Sequence, residues 1–307
     1  MRVIPLVVVD DAALVASNVP EDDYVLFNAG TPYAVGNRVR TTDHRIFQSA
    51  IAANEGNDPA NPANVVSADN PTAPWIYVTR TNRWRAFDGR NSAKTRHPGS
   101  ITYDLLTIST TEVIAFTGLE GQSVRVQVLD GEGVQTYDET KELLDTSGVQ
   151  DWYQYFTFEA DEFVDAVVFY PLSAFAGYTI RITITSVGGG QAAVSIIGYG
   201  RRRVLGKLLT GTTPSIVDYS TKEVDVFGER NIIVRAYARE VQFNIALETA
   251  GYARVERVLA PLRATPAIYY ENEKLAHNLI VMGIYTDFSP PLQIGYTLAT
   301  LTVLGDI

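Results

Sequence analysis

Cysteine is absent from the 307 residues. That excludes disulfides, thiolate nucleophiles and cysteine-ligated zinc, and leaves packing or association between copies to supply stability. Histidine is scarce: His44, His97 and His277 lie far apart, with no His-x-x-x-His or Glu-x-x-His pairing, so the spacing points to no metal site. Long apolar runs are missing too. No stretch reaches the roughly 18–20 apolar residues of a membrane-spanning helix. The opening Met1–Asp11 has a short apolar run with Pro5 inside it and two acids closing it, which reads as a strand and not as a signal sequence. Positive charge is in deficit, 25 Lys and Arg against 35 Asp and Glu, a formal net charge of −10. Such a chain repels the phosphates of nucleic acid and anionic lipid. Neither nucleic acid binding nor membrane insertion is expected.

Catalytic signatures are equally thin. There is no Gly-x-Ser-x-Gly elbow, phosphate loop or dinucleotide fingerprint, and Gly188-Gly189-Gly190 follows a strand but opens no helix. Carboxylates abound, among them Asp138, Glu139, Glu159, Asp161, Glu162 and Asp165, and a glycosidase needs only two suitably spaced. Acids on the rims of β-sandwiches are ordinarily just solvated. The expectation is a protein with no enzymatic activity and no cofactor.

With 46% hydrophobic and 20% charged residues the chain has enough apolar matter for ordinary cores. Apolar–polar alternation broken by turn residues dominates, the pattern of half-buried strands in sandwiches and barrels. Val124–Leu129, Tyr178–Thr185 and Ile294–Val303 are the clearest cases. One helix is predicted over Thr249–Leu262, where Tyr252, Val255, Val258, Leu259 and Leu262 recur at helical spacing and Thr265-Pro266 stops it. Asp43–Ala52 fits a short helix or a strand. The predicted fold class is mainly β: sandwiches of jelly-roll type plus a small loop-rich β module, with a C-terminal β-sandwich carrying one helix. Composition shifts divide the chain at residues 29–90, 91–204 and 205–307, with strand residues in 1–28 joining the last piece, because an isolated strand cannot hold itself.

Pro32-Tyr33-Ala34-Val35-Gly36-Asn37-Arg38-Val39-Arg40, His44–Ser49, Gly56–Ala60 and Pro74-Trp75-Ile76-Tyr77-Val78 follow one another in the first module. This order resembles small chitin- and cellulose-binding-type carbohydrate modules, with their Tyr-x-x-Gly-x-x-Val stretch, aromatic strand, Pro-containing loop and closing Trp. Sugar rings lay their C–H faces on flat aromatic surfaces. The resemblance therefore nominates Tyr33, Trp75, Tyr77 and the following Trp84 as carbohydrate-binding residues. The same rings could equally be the core of so small a module. The aromatic that such modules usually carry near their start has no counterpart in Asn28-Ala29-Gly30-Thr31.

Arg80-Thr81-Asn82-Arg83-Trp84-Arg85-Ala86-Phe87-Asp88 comes next, then Asp151-Trp152-Tyr153-Gln154-Tyr155-Phe156, Ile216–Gly228 with its Asp225-Val226-Phe227, Leu262–Pro266 and Met282–Phe288. In this order they resemble a group of bacteriophage tail-tip and baseplate proteins, distal-tail-like, in which a small module leads into a jelly-roll sandwich and then a tail domain. That resemblance implies a virion structural protein, made in the host cytoplasm and assembled as a ring of six copies between tail tube and hub, in reach of host surface glycans. The other class compatible with the residues is a soluble or secreted polysaccharide-binding protein without catalysis. Asp151–Phe156 is read as a buried sandwich strand, with a sugar platform as the other choice. Arg201-Arg202-Arg203 is read as a linker or an ion-pair site between parts of the protein, with an anionic partner as the other choice.

Overall fold

A computed structural model describes residues 1–145, 151–157, 163–224, 228–271, 279–291 and 293–305. Of the residues singled out above, Glu159, Asp161, Glu162, Asp225-Val226-Phe227 and His277 lie outside the described ones. Strand accounts for 48% of the protein and helix for 10%, so the class is mainly β.

The centre is a jelly-roll-like sandwich. One wall is a five-stranded antiparallel sheet in the order Gln135–Glu142, Ser123–Leu129, Thr179–Thr185, Ser100–Leu106, Leu14–Ser17. Its alternation works as period 2 demands: Val124, Val126, Val128, Ile180, Ile182 and Ile184 point inward and are buried, while Arg125, Gln127 and Arg181 face out. The other wall has three strands, Val167–Phe169, Val113–Thr117 and Ile196–Gly200. Phe116, Phe169, Ile197 and Tyr199 close the interior from this side. Each such ring or branched chain removed from water contributes roughly 1.5–3 kcal/mol.

The three-stranded wall is covered on its other face as well. Val113, Ala115, Ala166, Val168 and Ile196 pack against Ile4, Ile268, Tyr270, Ile280 and Met282. Those residues belong to a large eight-stranded sheet running Arg203–Val204, Arg2–Pro5, Ala267–Tyr270, Ile280–Ser289, Tyr296–Gly305, Tyr237–Glu248, with Lys207–Leu208 and Thr213–Asp218 both paired to the last of these. Double coverage explains why Val113–Thr117 is a near-continuous apolar run instead of an alternating one. Gly198 permits the close approach, since a Cβ there would meet Ile268 Cδ1 at 2.5 Å and Leu6 Cδ2 at 2.8 Å.

The far face of the large sheet takes the helix. Val241, Phe243, Ile245, Tyr269, Leu301 and Val303 are buried with Val255, Leu259 and Leu262. The helical turns run from Thr249 through the α-helix Tyr252–Leu259 to a 3₁₀ turn Ala260–Leu262, the span that the spacing predicts. Strand Arg2–Pro5 pairs with Ala267–Tyr270, whereas Leu14–Ser17 pairs with Ser100–Leu106, so the first 28 residues serve both the large sheet and the sandwich. The small module is three strands, Arg38–Arg40, Arg45–Ser49 and Trp75–Arg80, around Tyr33, Val39, Phe47 and Trp75. Of the two readings of Asp43–Ala52, the strand is the one formed.

Candidate functional site

The four aromatics nominated for sugar binding lie in different settings. Trp75 is fully buried, its indole N–H donating to the Asn57 carbonyl at 2.7 Å. Tyr33 packs edge-on to it at 5.5 Å, and Phe27 approaches both at 5.9 Å. Gly36, at φ 86° in the left-handed region, turns the chain between Tyr33 and the strand Arg38–Arg40. These rings form the centre of a module that has few other large apolar side chains, and a ring enclosed in this way has no face to offer a saccharide. Trp84 is buried as well, and in the sandwich core instead of the module: the 3₁₀ segment Asn82–Phe87 plugs the end of the sandwich. A core role thus replaces the stacking role expected of Tyr33, Trp75 and Trp84. Tyr77 alone is half-buried at the surface, one edge against Phe47 at 5.7 Å, with the Arg90 guanidinium 4.9 Å from its ring centre. Burial pushes its hydroxyl above the usual tyrosine range.

His44 holds the seam between module and sandwich. It sits at φ 64° and stacks on Trp84 at 4.2 Å. Its Nδ1 meets Glu21 Oε1 at 2.7 Å and its Nε2 meets Asp11 Oδ1 at 2.8 Å. The Thr81 hydroxyl donates to the same Glu21 oxygen, Asn82 N–H to Asp23, and Arg83 to the Val19 carbonyl. These bonds tie residues 11–23 across the seam and account for His44 structurally. His97 Nδ1 faces the Ser100 carbonyl at 2.8 Å. Among the described residues no three His, Asp or Glu converge as metal ligands, and no helix is long and apolar enough to cross a membrane.

Beside Tyr77 opens a cavity of about 470 Å³ whose lining includes Thr79, Arg85, Arg90, Ser92, Lys94 and Arg96. Six cations, Arg80, Arg83, Arg85, Arg90, Lys94 and Arg96, fall within one short stretch of an acidic chain. The six are spread over seventeen residues and form no contiguous run, unlike Arg201-Arg202-Arg203. Some of the charge is spent internally: Arg85 pairs with Asp23 at 3.3 Å, and Lys94 and Arg96 both hold Glu120, at 2.7 and 2.8 Å. Burial would raise the Glu120 carboxyl, but the hydrogen bonds from Lys94 and Arg96 outweigh it and hold the group below its ordinary value. Asp88 goes the other way. Its burial outweighs the Arg90 backbone N–H and the nearby Arg90, Arg80 and Arg85 charges, and pushes its carboxyl up to about 6.

Arg201 and Arg202 converge on Glu112 at 3.4 and 3.8 Å, and the Arg202 guanidinium lies 4.0 Å from the Tyr170 ring centre. This is an ion-pair site between parts of the protein. Trp152, Tyr153 and Phe156 are exposed on a short helix, Trp152–Thr157, and not buried in a strand. The hydrophobic string that suits a sandwich strand also puts Trp152 and Phe156 one helical turn apart, where their rings stack at 6.4 Å.

At the rim of the large sheet, its edge strand Thr213–Asp218 and a separate two-stranded pair, Thr221–Val224 with Arg230–Ile233, leave apolar side chains uncovered. Ile216 is 72% and Val234 82% exposed. With Ile232 and Tyr237 they line a depression of about 420 Å³, rimmed by Asp218, Lys222 and Arg235.

No protein-family profile matches the sequence, and no curated protein does. Among solved structures the chain is similar to chitosan-binding module 1 of a chitosanase/glucanase from Paenibacillus sp. IK-5. The match has 14% identity over 39% of this chain and 84% of that chain, with a TM-score of 0.26. At that score the likeness carries no argument about function.

Proposed function

We propose that this protein is a non-enzymatic virion structural protein of a bacteriophage tail tip or baseplate, which assembles with copies of itself into a ring and turns its module and sandwich outward toward host surface glycans. The observation that carries the reading is the bare apolar arm of the large sheet. An edge strand with an open row of backbone groups beside Ile216, Ile232, Val234 and Tyr237 is a surface that a folded protein leaves open for a partner. The rim carries both charge signs, Asp218 against Lys222 and Arg235, which suits contact with another copy. A head-to-tail contact between identical chains generates a ring when its rotation closes. The ordered series of tail-protein motifs supports the tail tube and hub as neighbours, and six as the copy number.

Light scattering and negative-stain class averages of the purified protein test this. A closed ring, or co-assembly with a tail-tube protein, is the expected result. A strict monomer at high concentration with no tail association overturns it. The Tyr77–Arg90 surface favours one other reading, a soluble or secreted polysaccharide-binding protein without catalysis, for which a glycan-binding monomer would be found.

A further inference from the structure

We propose that a surface running from the seam between the small module and the sandwich to the junction of the sandwich with the large sheet is a binding site for an acidic saccharide, with a cationic subsite at Arg90 and a hydroxyl-reading subsite at Thr117 and Ser195. The inference rests on the adhesive half of the reading above.

The first observation is the balance of charge in the cavity beside Tyr77. Arg85, Lys94 and Arg96 have carboxylate partners, whereas Arg90 forms no ion pair among the described residues. Its guanidinium rests on an aromatic ring, an arrangement that holds a planar cation in place while leaving N–H groups for a carboxylate or phosphate.

The second is independent of charge. A neighbouring cavity of about 420 Å³ shares Ser92 and Lys94 with the first, and its lining includes Asn91, Thr117, Ser195, Tyr237 and Arg239. Thr117 is 7% exposed and Ser195 0%. Thr117 Oγ1, Ser195 Oγ and Asn91 Oδ1 are all buried without a hydrogen-bond partner among the described residues. Two of these atoms crowd Gly118, where a Cβ would meet Ser195 Oγ at 2.0 Å and Asn91 Oδ1 at 3.4 Å. Only glycine fits, and φ 62° suits it too. Buried polar atoms cost free energy unless something hydrogen-bonds to them. Three in one cavity call for a ligand that both donates and accepts, as saccharide hydroxyls do. The lining also holds Arg239, without an ion pair among the described residues, as a second cation, and the Asp165 carboxylate, which can accept from a sugar hydroxyl.

Cations at one end and orphaned hydroxyls at the other match a sugar that carries a carboxylate or a phosphate. A neutral glycan would leave Arg90 unused, and a nucleic acid strand would use the cations but offer little to Thr117 and Ser195.

The test is calorimetric titration of the full chain with oligogalacturonate, a phosphorylated oligomannoside, a maltooligosaccharide and a short single-stranded DNA. Saturable binding of one or both acidic sugars is expected, weaker at higher salt, and whichever binds identifies the acid group. Arg90→Gln and the double variant Thr117→Val with Ser195→Ala should each weaken it about tenfold or more. The double variant should melt no lower than the parent, because the lost hydroxyls satisfy nothing among the described residues. Failure of both acidic sugars to bind overturns the proposal, as does equal affinity for the maltooligosaccharide or the DNA, or parent-like binding by the double variant. The titration follows binding whether or not rings form, so a failure of assembly and a failure of this site remain distinct results.

Discussion

The three-stranded wall of the sandwich and the arm around Ile232-Ile233-Val234 begin from the same local signal, a contiguous apolar run in short antiparallel strands. In the wall, Val113-Ile114-Ala115-Phe116 is buried on both faces, one turned to the sandwich interior and the other to the large sheet. In the arm, Ile232, Ile233 and Val234 are exposed. A continuous apolar run states that a strand needs two covers; whether one chain supplies both is decided by residues far away in sequence, here Ile4, Ile268 and Met282.

Four variants probe that contrast. Phe116→Ala should cost roughly 3–5 kcal/mol of unfolding free energy in urea, because it opens a cavity at the middle layer; a loss below about 1 kcal/mol would mean that the wall is not clamped. Trp75→Ala should approach the same cost, since it removes both a central ring and the bond to Asn57. Retention of the module's near-ultraviolet dichroism in that variant would return Trp75 to the role of a surface platform.

Asp88→Asn should act in the opposite direction and more weakly. A carboxyl whose folded value is raised from 3.8 to about 6 favours the neutral form in the folded state. The parent's stability from this group is therefore full below the unfolded value and is lost as pH rises through about 6. The amide should gain on the order of 1 kcal/mol at neutral pH and remove that pH dependence; melting curves from acid to neutral pH check it. The smallest stability effect belongs to the arm: Val234→Asp should leave the melting temperature almost unchanged, within about 0.5 kcal/mol, yet abolish ring formation. A large drop in melting temperature instead would place Val234 in the monomer's own core.

Much of the architecture was legible in the residues. Val124–Leu129 and Tyr178–Thr185 alternate because one face of each strand meets solvent, and the helix around Val255 and Leu259 shows its stripe for the same reason. The allocation of Trp84 was not legible, since an aromatic directly after the module looks like part of it until Asn82–Phe87 is seen to enter the sandwich. Asp151–Phe156 misled because hydrophobicity at adjacent positions carries no period by which helix and strand can be told apart. At the seam, the cations from Arg80 to Arg96 could have been noticed by counting charge over a window instead of in runs. The orphaned Thr117 and Ser195 hydroxyls could not: a small hydroxyl residue in an apolar strand reads the same whether or not its oxygen finds a partner.

Strand Arg2–Pro5 lies between Arg203–Val204 and Ala267–Tyr270, and this has a consequence for biosynthesis. The ribosome makes that strand roughly 200 residues before either of its neighbours, on the order of tens of seconds earlier. During the interval Val3 lacks its partners in the large sheet, and Ile268, Tyr270, Ile280 and Met282 are not yet there to cover the outer face of the three-stranded wall. The large sheet can close only after Tyr296–Gly305 has been made, a non-local step that is intrinsically slow. The self-association proposed for the arm would thereby wait until that sheet has formed.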